Sequence, residues 1–330
     1  MPRYLLALGH ERFTPTELLE QAAAGEEAGF DLIGCSDHTA PWWTSETAPT
    51  ACGNAWVWLG AAARVTRSVA LGTAVTALVH RYNPLVVAQQ AATLETLAPG
   101  RAFLGVGSGE AMNEVPAGMD WPATEEQLAR TEEALTIVTR VLDGETVDFE
   151  GRFFRTRGAR LWFDPGRRPP IYMSAFHEGA AEVAGRLADG LWTLGDPEQA
   201  PKVIEAYRRS CDEAGRERGE IVVQALFSWA DDDDAALAGA REWKGTMVDE
   251  MYTDDVHDPA EIYRRGEAEI SDGELLENAI VSSDPQKHVE RIRQLEEMGA
   301  TIVGLMNVSG KAPLEALRVY GRDVLPQLRV

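Results

Sequence analysis

The sequence predicts an α/β protein, a (β/α)8 barrel, and three observations carry that reading. Eight short apolar runs recur along the 330 residues. Most of the runs are continuous rather than alternating, as parallel strands buried on both faces require. The segments between them show helical periodicity and helix-boundary residues. About 250 residues is typical of such a barrel, so the chain has room for inserts.

The strands are expected at Tyr4–Leu8, Leu32–Cys35, Val69–Val75, Ala102–Val106, Ile171–Ala175, Gly190–Thr193, Ile221–Phe227 and Thr301–Met306. A helix from about Thr16 to Ala28 stops at Gly29, a residue suited to a C-cap. Asn83-Pro84 opens another, because Asn caps and Pro fits the first helical position. Thr124–Leu142 reads as a long amphipathic helix. Ser283-Asp284-Pro285 opens one more, which ends near Gly299. Two inserts explain the excess length. Residues 143–169, after the helix that follows strand 4, are expected to hold a hairpin around Glu150-Gly151, with arms Val147–Phe149 and Arg152–Phe154. Residues 229–275, after strand 7, are polar and helical and begin with the acidic run Asp231–Asp234. Asp favours a first helical turn, so that run reads as a solvated helix start rather than a metal site. Residues 1–330 are thus taken as a single barrel domain. The alternative is a doubly wound sheet. Gly105-Val106-Gly107-Ser108-Gly109 could feed it, but the run is not Gly-x-Gly-x-x-Gly and lacks a ribose-binding acid.

Composition narrows the function. Apolar residues make up 45% and charged residues 25%, the mix of a soluble globular chain. The net charge of −22 repels nucleic acid and anionic membrane alike. No apolar run approaches the ~20 residues a bilayer needs, and the apolar stretch at the N-terminus is too short for a signal peptide. Cys35, Cys52 and Cys211 are odd in number and far apart, without zinc spacing or a disulfide framework. A cytoplasmic protein without a metal is expected. Only Lys202, Lys244, Lys287 and Lys311 stand among 31 basic residues. Genomic base composition gives that preference for arginine, and so does adaptation to a cytosol of molar salt, where hydrated carboxylates keep a protein soluble.

In such a barrel, chemistry sits where strands end and βα loops begin. Strand 1 runs into His10-Glu11, strand 2 into Ser36-Asp37-His38 with Trp42 and Trp43, and strand 4 into Gly107-Ser108-Gly109-Glu110. Glu11, His38 and Glu110 therefore share one barrel end and could supply a base, an acid and an orienting charge. Each has a plainer reading: Glu11 as a surface charge, Asp37-His38 as a cap and Glu110 as an early-helix acid, with Trp42 and Trp43 as core. The glycines at 105, 107 and 109 let backbone approach a flat ligand.

Ser36-Asp37-His38 with Pro41-Trp42, Arg81-Tyr82-Asn83-Pro84, the run from Gly107 to Glu114, and Ser283-Asp284-Pro285 together resemble the luciferase-like flavin and deazaflavin oxidoreductases. Within them the chain is similar to the branch that uses the 8-hydroxy-5-deazaflavin coenzyme F-420. The resemblance spans essentially the whole chain and implies a TIM-barrel, homodimeric oxidoreductase with a small-molecule substrate. It implies His38 as the base that takes the hydroxyl proton, with Trp42 and Glu11 holding the reacting oxygen. Glu110 would stand near the ring region where negative charge develops. Asp37 would contact the coenzyme and steady His38. Ala74-Val75 would form a non-prolyl cis peptide behind the ring, flanked by Gly107, Ser108, Gly109 and Asn113. Backbone N–H groups near Ala175, Phe176 and His177 would hold the coenzyme's phosphate.

Two branch activities are relevant, glucose-6-phosphate dehydrogenase and secondary alcohol dehydrogenase. Positions where the sugar-phosphate enzyme places lysines align with Asp196 and Glu277 here. A phosphate dianion would be repelled there unless Arg291 or Arg293 took over. Glu110–Pro116 and Ala55–Trp58 look closer to the alcohol enzyme. The expected activity is hydride transfer between a secondary alcohol, or its ketone, and C5 of the coenzyme. The alternatives are sugar-6-phosphate oxidation and an FMN-dependent monooxygenase.

Overall fold

Continuous apolar runs bury both faces of a strand, and in the computed structural model, which describes residues 1–329, they form one parallel sheet. Its strands are β1 (Arg3–Leu8), β2 (Leu32–Cys35), β3 (Ala70–Thr73, resumed at Thr76–Ala77), β4 (Leu104–Gly107), β5 (Ile171–Ser174), β6 (Gly190–Leu194), β7 (Glu220–Ser228) and β8 (Ile302–Asn307). β1 pairs with β2 and β8, and pairing continues through β7, β6 and β5 to β4. The ring closes through the two pieces of β3. Ala70–Thr73 lies on β2, Thr76–Ala77 lies on β4, and the cis Ala74–Val75 peptide separates them. Each of the eight expected runs is a strand, with ends that differ by one to two residues on most.

The barrel helices are α1 (Pro15–Ala28), α2 (Ala55–Val65), α3 (Pro84–Leu97), α4 (Thr124–Leu142), α5 (Glu178–Leu187), α6 (Ala200–Glu213), α7 (Pro285–Glu297) and α8 (Pro313–Val319). Their boundaries follow cap chemistry. Thr14 and Glu17 form a capping box at α1, and Gly29 closes it at φ 97°. Asn83 caps α3 and Asp284 caps α7, each before a first-turn Pro. Side chains on β1 alternate between two cores. Leu6 and Leu8 pack outward against the helices, while Leu5 and Ala7 join Phe103, Tyr172, Trp192 and Val222 inside the barrel.

The hairpin in 143–169 differs from the expected one. Its arms are Val147–Glu150 and Arg155–Ala159, so residues 152–154 are turn rather than strand. The cause lies in α4, whose Glu133 carboxylate accepts the backbone N–H groups of Arg152, Phe153 and Phe154 at 2.8–3.0 Å. Those groups are thereby withdrawn from any ladder.

Residues 229–275 form helices at Asp233–Arg241, Pro259–Glu269 and, running on past 275, Asp272–Asn278, with shorter turns between. The acidic run is a helix start, with Asp232 accepting from Ala235 N at 2.7 Å. This segment lies across the top of the barrel. Trp243 packs edge-on against Trp43, with ring centroids 5.0 Å apart, and Met251, Val256 and Ile262 extend the inner core upward. Among the described residues no helix is long and apolar enough to cross a membrane.

Candidate active site

The loop after β1 turns Glu11 inward, where it is 1% exposed. A buried carboxylate needs donors, and two serve it. The Ser36 hydroxyl donates to Oε2 at 2.5 Å, and the Trp42 indole N–H donates to Oε1 at 3.1 Å. Ser36 is itself fixed by the His10 backbone N–H at 2.8 Å. His38 stands above this pair with Nδ1 3.6 Å from Glu11 Oε1 and its ring 5.4 Å from Trp42. Its Nε2 makes no hydrogen bond and opens to the cleft.

Asn113 reaches His38 from the short helix Ala111–Glu114. Its Oδ1 accepts Thr39 N–H at 2.8 Å, while its Nδ2 lies 3.0 Å from Glu110 Oε2 and 3.2 Å from His38 Nδ1. Glu110 holds the N-cap position of that helix without a side-chain cap bond, because its carboxylate is turned to Asn113. Tyr252 closes the top. Its ring lies 6.1 Å from Trp42 and 5.2 Å from Phe176, and its hydroxyl donates to the Thr246 carbonyl at 2.7 Å.

Asp37 does not steady His38, one part of what the resemblance implied. It accepts the Thr76 hydroxyl at 2.8 Å and the Tyr82 hydroxyl at 3.2 Å, so it ties β2 to the second piece of β3 rather than steadying His38. Arg81 bridges Asp37 at 3.6 Å and the fully buried Glu114 at 3.2 Å. Burial pushes the Glu114 carboxyl above its ordinary range, although Arg81 opposes the shift. Next to Glu11, burial holds His10 below the usual imidazole range against the Gly53 carbonyl, which its Nδ1–H meets at 2.6 Å. Burial thus favours the neutral form of His10.

The cis peptide sits where the resemblance put it. Ala74 and Val75 are only partly buried, whereas Thr73 and Thr76 on either side are buried. A Cβ on Gly107 would stand 2.8 Å from Val75 Cγ2, so this glycine is what lets Val75 occupy its place. Ser108, Gly109 and Glu110 continue the open wall, with Gly109 at φ +77°. Across the mouth, Ala175, Phe176 and His177 lead into α5, whose N-terminus has no side-chain cap and leaves first-turn N–H groups free. The structure thus gathers Glu11, Trp42, His38, Asn113 and Glu110 into one cluster, walled by Ala74–Val75 and by Phe176.

Asp196 is committed to the start of α6, accepting Glu198 N at 2.7 Å and Gln199 N at 2.8 Å. Arg291 donates to the Glu277 carbonyl and to Gln294, and lines a cavity of about 410 Å³ with Gly195, Pro197 and Leu295. Arg293 donates to the Gln327 carbonyl. Cations on the mouth loops are paired: Arg12 with Glu242 at 2.7 Å, and Lys244 with Asp272 at 3.1 Å. Sequence reasoning assigned no role to Arg81, Glu114, Ser36 or Tyr252. The first three lie within runs that drew notice, but their partners are distant in the chain.

A family model described as luciferase-like monooxygenase matches residues 3–301. The chain is 37% identical over 325 residues to a protein of Microbacterium testaceum named F-420-dependent glucose-6-phosphate dehydrogenase, covering 97% of this chain and 95% of that one. It is 34% identical over 327 residues to the protein of the same name from Mycolicibacterium smegmatis, covering 97% and 96%. Among solved structures it resembles an F-420-dependent secondary alcohol dehydrogenase in complex with an F-420–acetone adduct, with TM-score 0.93, 29% identity, and 100% and 99% of the two chains covered. The fold is shared with a coenzyme F-420-dependent tetrahydromethanopterin reductase from Methanopyrus kandleri, with TM-score 0.78, 20% identity and 99% of both chains covered.

Proposed function

The chain belongs to the luciferase-like monooxygenase family, and from that premise we propose a coenzyme F-420-dependent dehydrogenase acting on CH–OH groups. We further propose that its substrate is a neutral secondary alcohol, or the corresponding ketone. The observation that carries the reading is His38, with Nε2 open to the cleft and Nδ1 beside the buried Glu11 carboxylate.

The residues present fit the coenzyme. Val75, seated in the space Gly107 leaves, offers a partly exposed apolar face for a flat ring. Ser108, Gly109, Glu110 and Asn113 flank that face. The uncapped N-terminus of α5, reached through Ala175, Phe176 and His177, suits the phosphate. When bound, the deazaflavin supplies the two-electron acceptor for the carbinol C–H bond. His38 takes the hydroxyl proton at Nε2, and Glu11 stabilises the imidazolium through Nδ1. Ser36 and Trp42 hold Glu11 in place, while Trp42, Tyr252 and Phe176 keep water from the reacting carbon.

Two features support the neutral substrate. The mouth cations are already neutralised by carboxylates, and the resemblance to the alcohol enzyme's structure extends over the whole chain. Sugar-6-phosphate oxidation is the second reading, favoured by the identity to the curated relatives and by Arg291 at its cavity. Bleaching of the oxidised coenzyme with propan-2-ol and not with glucose 6-phosphate is the expected result. The converse would replace the substrate. Tight FMN binding with oxygen consumption would replace the coenzyme. His38→Ala should abolish turnover and leave coenzyme binding intact.

The helical face around α2 and α3 supports a homodimer. Trp58 and Leu59 are core, but Val57 (77% exposed), Val86 (41%) and Leu97 (44%) form an outward apolar edge. Light scattering at the molar mass of two chains is expected.

A further inference from the structure

Two hydrogen-bonding groups compete for Nδ1 of His38. The Asn113 amide nitrogen is 3.2 Å away and the Glu11 carboxylate oxygen 3.6 Å away. They ask opposite things of the ring: a carboxylate can only accept, so it calls for Nδ1–H, while an amide NH2 can only donate, so it calls for a bare Nδ1. The orientation of the Asn113 amide is fixed from both ends. Oδ1 is held by the Thr39 backbone N–H at 2.8 Å, which can only donate. Nδ2 is held by Glu110 Oε2 at 3.0 Å, which as a carboxylate can only accept. One Nδ2 hydrogen serves Glu110, and the other points to His38.

We propose that Asn113 is a positioning residue that sets the tautomer of His38. In the free enzyme it holds the neutral ring as Nε2–H, with Glu110 as the anchor that aims it. That form donates a hydrogen bond to a substrate oxygen but has no lone pair at Nε2 to take a hydroxyl proton. Alcohol oxidation needs the other neutral form. Its Nδ1–H faces Glu11, its Nε2 lone pair takes the hydroxyl proton, and the carbinol C–H electron pair leaves to the deazaflavin. Carbonyl reduction needs the imidazolium, whose Nδ1–H also faces Glu11. In both directions Asn113 must release Nδ1 before His38 acts. The site thus holds its base in reserve until the Asn113–Glu110 contact loosens. This rests on the proposed role of His38.

The test is ¹⁵N NMR of histidine-labelled protein without coenzyme, in buffer alkaline enough for His38 to be neutral. His38→Gln assigns the signals. Wild type should show the Nε2–H pattern. Asn113→Ala and the near-isosteric Asn113→Asp should both show Nδ1–H, because Glu11, or the new carboxylate, then receives that proton. Asn113→Asp also guards against loss of the Thr39 contact, since its carboxylate still accepts there. Nδ1–H in wild type, or no change in either folded variant, would overturn the proposal. Because no coenzyme is present, a failed bleaching assay would refute the functional reading and leave this result standing.

Discussion

The Trp42 indole donates to Glu11 at 3.1 Å, so the aromatic wall of the cleft and the carboxylate below it form one unit. The same carboxylate oxygen faces His38. Glu11→Gln keeps the shape and an acceptor for Trp42 but removes the charge that favours imidazolium. A hydrogen bond to a charged group is worth about 1.5–3 kcal/mol. Turnover should therefore fall roughly ten- to a hundredfold, with folding and coenzyme affinity preserved. Steady-state kinetics beside a coenzyme titration would show this. A variant as active as wild type would remove Glu11 from the mechanism.

Gly107 is the position where one methyl group would reach the proposed coenzyme bed. Alanine there would place Cβ 2.8 Å from Val75 Cγ2. Overpacking of this kind costs about 1–3 kcal/mol, and Val75 would move toward the ring space. Fluorescence titration of Gly107→Ala should show coenzyme binding weakened by tenfold or more, with a modest drop in melting temperature. Unchanged affinity would mean that the ring does not rest on Val75.

Stability should decline on mild acidification through buried histidines. His288 is fully buried between the Tyr320 hydroxyl at 2.8 Å and the Ser282 carbonyl at 2.9 Å, and burial lowers its pKa below the ordinary 6.5. His10 is lowered in the same way. The unfolded chain therefore binds protons that the folded chain refuses. Stability is fully present above about pH 6.5 and is lost as pH falls from there toward the folded values. Denaturant midpoints between about pH 8 and about pH 5 should show the slope. His288→Gln should flatten part of it, and an equal slope in that variant would rule His288 out as a contributor.

The net charge of −22 predicts that salt stabilises the fold. Screening shortens from about 10 Å at 0.1 M to about 3 Å at 1 M. The excess carboxylates then repel less, and this outweighs weakened surface pairs such as Arg186–Glu132 at 2.7 Å. Melting temperature and activity should both rise into molar potassium chloride. A protein most stable and most active in dilute buffer would leave arginine preference to base composition alone.

The barrel was readable because its signals are local. Each strand announces itself as a run such as Leu32–Cys35, and each helix start as a cap such as Asn83-Pro84. The hairpin arm was misplaced because Glu133, some twenty residues upstream, captures three N–H groups in the turn. Glu11 and His38 could be placed at one barrel end from strand ends alone. The partnership of Asp37 with Thr76 and Tyr82 could not, because it depends on which way side chains turn after the strands close. The same holds for the lock on the Asn113 amide and for Tyr252, which reaches the mouth from a segment more than two hundred residues beyond Trp42.

The groups proposed to handle protons lie within the first 114 residues, whereas the Tyr252 cover comes from the segment after β7 and is anchored by its hydroxyl to its own loop at Thr246. Reaction and substrate range are thus encoded in separate stretches of the gene. On that proposal, descendants of this chain can change substrate by mutation, insertion or recombination in the later stretch, while the inherited chemistry passes down intact.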